Sequence, residues 1–482
     1  MNQRPKISRR DFMRVSSGVV LGSTLLSQSV WAEALEVDRK TVPMGPASRY
    51  TPVVHAAFVR RKGDYGILWP GAIYDGEAAL KGYTERLVAA AKKTGVKLNL
   101  RPVPLYSLEE SNAWIAQGKA EGADGLMTLL LDRQEHAWPT VAKASESGVP
   151  TVVYAPLGAA FTTNTAPLAK KKGVWIASSD DFSQALFGLK MLKAGAKLRE
   201  TRFVVLEGNQ KRDETVRHFG TKLRYIPASA FLEEYERTPV TPQVKRMAQA
   251  YIHSAKAIRG PTEQDVINGI KSYIVARDFL EREEADGITM DCLGALGGTK
   301  VSLPCIAWSR MLDDGVPAAC EADIGAALTH ALVQYLFDRP GFQQDPVADT
   351  AKDCLIGAHC TCPTRLKGFD APPEPYVLSY HHGKRDAVPV PAWRAGQRIT
   401  VADIVPGDSG ETPPEMIIST GTVVGNKSVP PSGGCVVSVM VKLENVSDPL
   451  DYPGFHQIFF YGGYEKELKG YCQLFGIKPN VI

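Results

Sequence analysis

Gly125-Leu126-Met127-Thr128-Leu129-Leu130-Leu131 is the run that decides the fold. A short apolar stretch of this kind reads as a buried strand. Working outward from it, the pattern alternates. Upstream, residues 51–61 (Pro52-Val53-Val54-His55-Ala56-Ala57-Phe58-Val59 at their heart) read as a first strand. Residues 77–93 have helical spacing, with Leu80, Tyr83, Leu87 and Ala90 on one face. Residues 97–103 are a strand and 108–122 a helix; downstream, 138–146 is a helix and Pro150-Thr151-Val152-Val153-Tyr154 a strand. Strands and helices that alternate with short connections give a parallel sheet covered by helices on both faces. No GxGxxG or GxxxxGK[ST] follows any of these strands, so nucleotide binding is not supported.

A second unit of the same kind begins near Trp175, with a helix over 181–198 and Arg202-Phe203-Val204-Val205-Leu206-Glu207-Gly208 as a strand. Long helices follow at 241–258 and 262–284, then a strand at 287–291 ending in an acid. A short element at 304–312 leads to the turn Asp313-Asp314-Gly315, a strand at 317–321, and a helix at 323–337. From Arg339 onward Pro, Gly and β-formers dominate. Strands are expected at 376–380, 398–401, 415–418 and 434–441, then one led by His456, then a helix at 464–475. The fold class is therefore α/β: two doubly wound parallel-sheet domains (33–172 and 173–338), then a β-rich C-terminal domain with a final helix (339–482).

Residues 1–32 stand apart. Ser8-Arg9-Arg10-Asp11-Phe12-Met13-Arg14 precedes a mildly apolar run ending in Val30-Trp31-Ala32, the pattern of a twin-arginine (Tat) export signal with a small-residue cleavage site. The expected location is the periplasm or the medium. The chain has 482 residues, 44% hydrophobic and 22% charged, and a net charge of +4 with basic and acidic residues interleaved. No basic stripe points to nucleic acid, and no internal apolar run of about 18 residues spans a membrane once the signal is gone. Eight cysteines in an exported chain raise disulfides. Cys292, Cys305, Cys320 and Cys354 nevertheless sit in apolar contexts that suit reduced core thiols.

Chemistry gathers between Ile288 and Cys362. Asp291 closes a strand; Glu321 and Asp323 stand where a strand becomes a helix. A helix N-terminus stabilises a carboxylate there, yet Asp323 reads equally as an N-cap, Asp291 as a turn acid and Glu321 as an ion-pair partner. Carboxylates joined by one imidazole suit Mn²⁺ or Mg²⁺. His359, Cys360 and Cys362 form a softer group, but zinc needs a second ligand pair that this sequence lacks. The adjacent His381 and His382 read as a loop or strand edge, and His456 as a rim or core histidine. No G-x-S-x-G elbow supports serine hydrolase chemistry.

In order, Asp291-Cys292, Pro304-Cys305, Cys320-Glu321-Ala322-Asp323-Ile324 heading an Ala-rich helix, His359-Cys360, and a late His456 before a strand and final helix resemble the L-fucose isomerase-like (L-fucose/L-arabinose isomerase) superfamily. The resemblance implies two α/β domains, a β-rich third domain, and a manganese site between the last two. It implies an aldose–ketose isomerase (an intramolecular oxidoreductase) working through an enediol, and an oligomer. On this resemblance Asp323 and His456 match metal ligands, and Asp291 stands nearest the family's upstream glutamate. Asp291 and Asp323 are then the proton-transfer and metal-binding candidates. Trp308, Arg310, Glu321 and His359 are the substrate-binding candidates. Export argues for a glycoside or oligosaccharide as the alternative substrate, cleaved with paired carboxylates. A sugar-binding protein without catalysis is the third reading.

Overall fold

In the computed structural model, Gly125–Leu130 is the central strand of a five-stranded parallel sheet. Residues 41–63, 67–68, 72–133, 135–381, 385–407, 412–428 and 435–482 are described; the export signal, His382 and Gly434 lie outside them. The first sheet contains β1 (Val53–Val59), β2 (Lys97–Leu100), β3 (Gly125–Leu130), β4 (Thr151–Ala155) and β5 (Val174–Ser178), in the order β2-β1-β3-β4-β5. Strand alternation divides its two faces. Val54, Ala56 and Phe58 meet α1 (Gly76–Thr94), while Ala57 and Val59 meet α2 (Leu108–Ala120) and α3 (Ala137–Glu146). Local chemistry sets the helix ends: Asp75 accepts from the N–H groups of Glu77 and Ala78, and Gly95, at φ 73°, closes α1. Val174–Ser178, read from sequence as opening the second unit, is instead the edge strand of this sheet. A strand followed by a helix does not itself reveal which sheet the strand joins. The 172/173 boundary therefore falls inside the first sheet's run of strands.

The next helix, α4 (Ser183–Glu200), crosses to a second sheet. That sheet holds β6 (Arg202–Leu206), β7 (Arg212–Thr215), β8 (Lys222–Ile226), β9 (Gly287–Met290) and β10 (Ala318–Cys320), ordered β10-β9-β6-β8-β7. All pairs are parallel except β7 with β8. β7 is exposed at every residue, so its sequence carried no apolar signal. The helices used below are α5 (Glu263–Arg282), α6 (Cys292–Leu296), α7 (Cys305–Asp313) and α8 (Ile324–Phe337).

The remainder is the expected β-rich region. β11 (Phe342–Asp349), β12 (Cys354–His359), β15 (Arg398–Val405), β16 (Glu415–Asn426), β17 (Val437–Leu443) and β18 (Gln457–Tyr461) form an antiparallel ring. The order is β15-β18-β11-β12-β17-β16, and the β15–β16 pairing closes it into a barrel. Between β12 and β15 the hairpin β13 (Tyr376–His381) and β14 (Arg385–Pro391) leaves the barrel, and β13 pairs with Ile258–Arg259. The final helix α9 (Glu465–Phe475) precedes β19 (Lys478–Val481), which adds to β16. Sequence reasoning missed β11 and β12, which Pro346 and Gly357 disguise.

Two apolar surfaces hold the barrel. Its interior is filled by Phe342, Leu355, Val401, Val439 and Phe459. Its outer face supplies Ile404, Ile418, Ile458 and Phe460 to a core shared with Leu328 and Leu332 of α8, Leu189 and Leu192 of α4, and Leu468 of α9. Each such side chain contributes roughly 1.5–3 kcal/mol on burial, so this shared core fixes the barrel against both α/β sheets. All eight cysteines are free and seven are buried. Burial pushes the Cys292 thiol up to about 12 and those of Cys305, Cys320 and Cys362 well above the usual range, as expected of packing thiols. Among the described residues, no helix is long and apolar enough to cross a membrane.

Candidate metal centre

The site lies on the seam between the second sheet and the barrel. β9 and β10 run parallel and side by side, so their C-terminal ends bring Asp291 and Glu321 to the same edge. Ligand-bearing side chains favour this edge in α/β sheets. After β10 the chain makes an unusual turn: Glu321 and Ala322 are both left-handed, at φ 62° and 55°, and neither is glycine. Such residues cost on the order of 1–3 kcal/mol each and concentrate at functional sites. The turn is held by the Ala322 N–H donating to Met290 O at 3.0 Å. It delivers Asp323 to the head of α8, where the Ala326 N–H donates to Oδ1 at 2.8 Å.

Hydrogen bonds tie this edge to the barrel. The Cys320 N–H donates to Gln343 Oε1 on β11, and the Ile404 N–H on β15 donates to Thr329 Oγ1 on α8, both at 2.8 Å. Gly325 permits the close approach, because a Cβ there would lie 2.5 Å from Ile404 O. It would also lie 3.3 Å from Asp323 Oδ1 and 3.5 Å from Asp403 Oδ1, so these two carboxyls flank the first turn of α8.

The His456 ring is the centre of the cluster. Its Nδ1–H donates to Asp323 Oδ2 at 2.9 Å. Its Nε2 lies 3.2 Å from Asp345 Oδ1 and 3.4 Å from Glu321 Oε2. Those two approaches have ion-pair distance, but both Nε2 and Asp345 Oδ1 are buried without a hydrogen bond of acceptable geometry. His359, from the end of β12, stands with its ring centroid 5.7 Å from that of His456 and its Nε2 3.8 Å from Glu321 Oε1. Ligand atoms of Glu321, His359 and His456 all lie within 4.8 Å of one another.

The electrostatics are those of a cation site. Burial would lower the His456 pKa, but its contacts with Asp323, Asp345 and Glu321 outweigh this and raise it to about 11. The His456 ring likewise holds Glu321 below the usual carboxylate range. Burial raises Asp323, yet the same ring and the backbone N–H of Ala326 bring it down overall. Burial and the nearby Asp323 push Asp403 up to about 7. The carboxylates that favour a proton on His456 Nε2 would equally favour a divalent cation in that proton's place, leaving the ring neutral and able to ligate. The His456 side chain is only 5% exposed, whereas those of Glu321, Asp323 and Asp345 are 28–31% exposed, so an ion can reach the cluster from solvent. Mixed imidazole and carboxylate donors, with orphaned atoms at Nε2 and Asp345 Oδ1, fit such an ion.

Of the residues singled out in the sequence, Asp323, Glu321, His359 and His456 come together here. Asp291 stands outside the triad as the N-cap of α6, accepting from the Gly294 N–H at 2.9 Å. Trp308 on α7 is wholly buried in the second unit's core and has no exposed face for a sugar. Arg310, on the same helix, lies over the Tyr273 ring at 4.7 Å. Asp345 and Asp403 were missed. Asp345 sits in the unread strand β11, and Asp403 lies just past the expected end of a strand that runs on to Val405.

No protein-family profile matches the chain, and no curated protein matches it. Similar solved structures include a transporter solute-binding protein from Burkholderia multivorans, at 13% identity over 60% of this chain and 95% of that one, with a TM-score of 0.19. Another is a periplasmic sugar-binding protein from Legionella pneumophila, at 11% identity over 59% of this chain and 94% of that one, with a TM-score of 0.18. Likeness at that level carries no argument about the site.

Proposed function

We propose that this protein is an exported, divalent-metal-dependent enzyme acting on a sugar, an aldose–ketose isomerase in its chemistry. The observation that carries the reading is the convergence of Glu321, His359 and His456 from three separate elements onto one point. Those three residues would hold the ion; the family resemblance points to Mn²⁺, while two imidazoles with one carboxylate also suit Zn²⁺ or Fe²⁺. When bound, a divalent cation supplies Lewis-acid polarisation of a hydroxyl or carbonyl oxygen. Asp323 orients His456 through its 2.9 Å hydrogen bond, and Asp345 flanks the other ring nitrogen. Asp323 and Asp403, side by side at the first turn of α8, are the carboxyls best placed to exchange protons with a polyol in an enediol mechanism.

The motif order supports the sugar assignment through its resemblance to the L-fucose isomerase-like superfamily, and Arg9-Arg10 supports export. Export favours a second reading, glycosidic cleavage of a larger substrate outside the cytoplasm with paired carboxylates. The deciding experiment is to strip metal from the mature protein, reload Mn²⁺, and incubate it in D₂O with a panel of free aldoses. Ketose carrying solvent deuterium is expected. Reducing ends released from oligosaccharides, with no deuterium entering any aldose, would replace isomerisation by the second reading.

A further inference from the structure

The two most exposed large apolar side chains among the described residues are Leu450, at 68%, and Phe455, at 61%. Both lie on the loop that leads into β18, and Phe455 directly precedes His456. The Phe455 ring centroid is 4.4 Å from that of His456, at 37° between planes. One side of the phenyl ring therefore packs on the central imidazole, the ring that Glu321, Asp323 and Asp345 approach, and the rest faces solvent. Soluble chains do not gain stability by exposing a phenyl ring, and fixing one outside the core forgoes on the order of 1.5–3 kcal/mol of burial.

The loop is built to hold this position. The buried Gln457 donates from Nε2 to Pro453 O at 2.7 Å. Gly454 has φ 88°, and a Cβ there would lie 2.4 Å from Gln457 Nε2, so the turn before Phe455 requires glycine. Farther back, the Leu450 N–H donates to Asp448 Oδ1 at 2.9 Å. An aromatic face fixed next to several carboxylates and an imidazole is amphipathic in the way a sugar ring is. The carboxylates and any bound cation meet hydroxyls, while the negative face of the phenyl ring meets the weakly positive C–H groups of one sugar face.

We infer that Phe455 is the stacking platform of the site and selects sugars that present an unbroken C–H face toward it while their hydroxyls point to the acid cluster. This inference rests on the proposed sugar chemistry and adds the residue that orients the ring. The platform is tested on the mature, Mn²⁺-loaded chain with D-xylose, L-arabinose, L-fucose and D-galactose as probes. Saturation-transfer NMR and calorimetry report sugar binding, Mn²⁺ calorimetry reports the ion, and sedimentation reports assembly. Phe455→Ala is expected to weaken the best-bound sugar about tenfold, Phe455→Trp to stay within about threefold of the parent, and Phe455→Leu to remain weak. Mn²⁺ affinity should be the same in all three. Parent-like binding by Phe455→Ala or Phe455→Leu would overturn the platform and leave the sugar reading standing. A parallel loss of Mn²⁺ affinity would make Phe455 a packing residue for His456 and also overturn it. A change in assembly with sugar binding intact would make the loop a contact between copies instead. A parent protein that binds Mn²⁺ and none of the four sugars would remove the sugar reading itself, and the platform with it.

Discussion

Replacing Asp323 by asparagine separates two roles that its carboxylate fills at once. Oδ1 caps α8 through the Ala326 N–H at 2.8 Å, and Oδ2 takes the Nδ1–H of His456 at 2.9 Å. Asparagine caps helices about as well as aspartate, whereas alanine at an N-cap costs about 1 kcal/mol. Both variants lose the charged His456 contact, so the cap predicts their difference: in urea unfolding of the metal-free protein Asp323→Ala should fall about 1 kcal/mol below Asp323→Asn. The imidazole contact predicts a different ordering for metal binding. Asparagine removes the charge that orients and polarises His456, and loss of such an orienting partner typically costs 10–100-fold in affinity, or about 1.4–2.7 kcal/mol. Calorimetric titration with Mn²⁺ should therefore show both variants weakened to a similar extent, although alanine destabilises the fold further than asparagine. Parent-like Mn²⁺ affinity in Asp323→Asn, to within about threefold, would refute the placement of the ion beside His456. Equal destabilisation by both substitutions would refute the capping argument.

Two further predictions concern the framework. Asp313, at the end of α7, accepts from the Thr364 N–H, the Thr364 hydroxyl and the Arg365 N–H at 2.8, 2.6 and 2.7 Å. Burial outweighs these bonds and pushes its carboxyl up to about 6. The folded state then binds the proton more tightly than the unfolded chain, whose aspartates titrate near 3.9. Stability from this group is fully present below about pH 4 and is lost as pH rises through about 6, by at most on the order of 2–3 kcal/mol before solvent screening. Asp313→Asn should flatten the pH 4.5–7.5 slope of urea-unfolding free energy, and an unchanged slope would show that another group governs it. Asp286, wholly buried, accepts from the N–H groups of Ala47, Ser48 and Arg202 at 3.1, 2.9 and 3.0 Å and so pins residues 45–49 to the second sheet. Asp286→Ala leaves buried donors unpaired at about 1–3 kcal/mol each, so a total loss near 3 kcal/mol is expected from the urea midpoint, and one under about 1 kcal/mol would contradict the pinning.

Much of the architecture was legible because it is written in short-range pattern. The apolar run at Gly125–Leu130 is central in its sheet, and the helical spacing of Leu80, Leu87 and Ala90 matches α1. What lacked an apolar signal was missed. β7 is exposed throughout, and Pro346 and Gly357 interrupt β11 and β12. Half of the acid cluster was hidden for the same reason, since Asp345 sits in the unread β11 and Asp403 past the expected end of β15.

The sequence by itself determined most of the elements, their α/β order, the change to β-rich chain after Arg339, and several of the carboxylates and imidazoles able to bind a cation. Periodicity and residue chemistry are properties of neighbours along the chain. Only the tertiary structure decided which of those groups meet. His456 lies 133 residues beyond Asp323, and they touch because β18 and α8 pack in one shared core. Asp291 was a candidate by sequence alongside Asp323, and it spends its carboxylate on the Gly294 N–H. Trp308 was read as a substrate-binding residue and is a core side chain. Burial and convergence depend on how sheets, helices and barrel close on one another, and no local pattern along the chain encodes that closure.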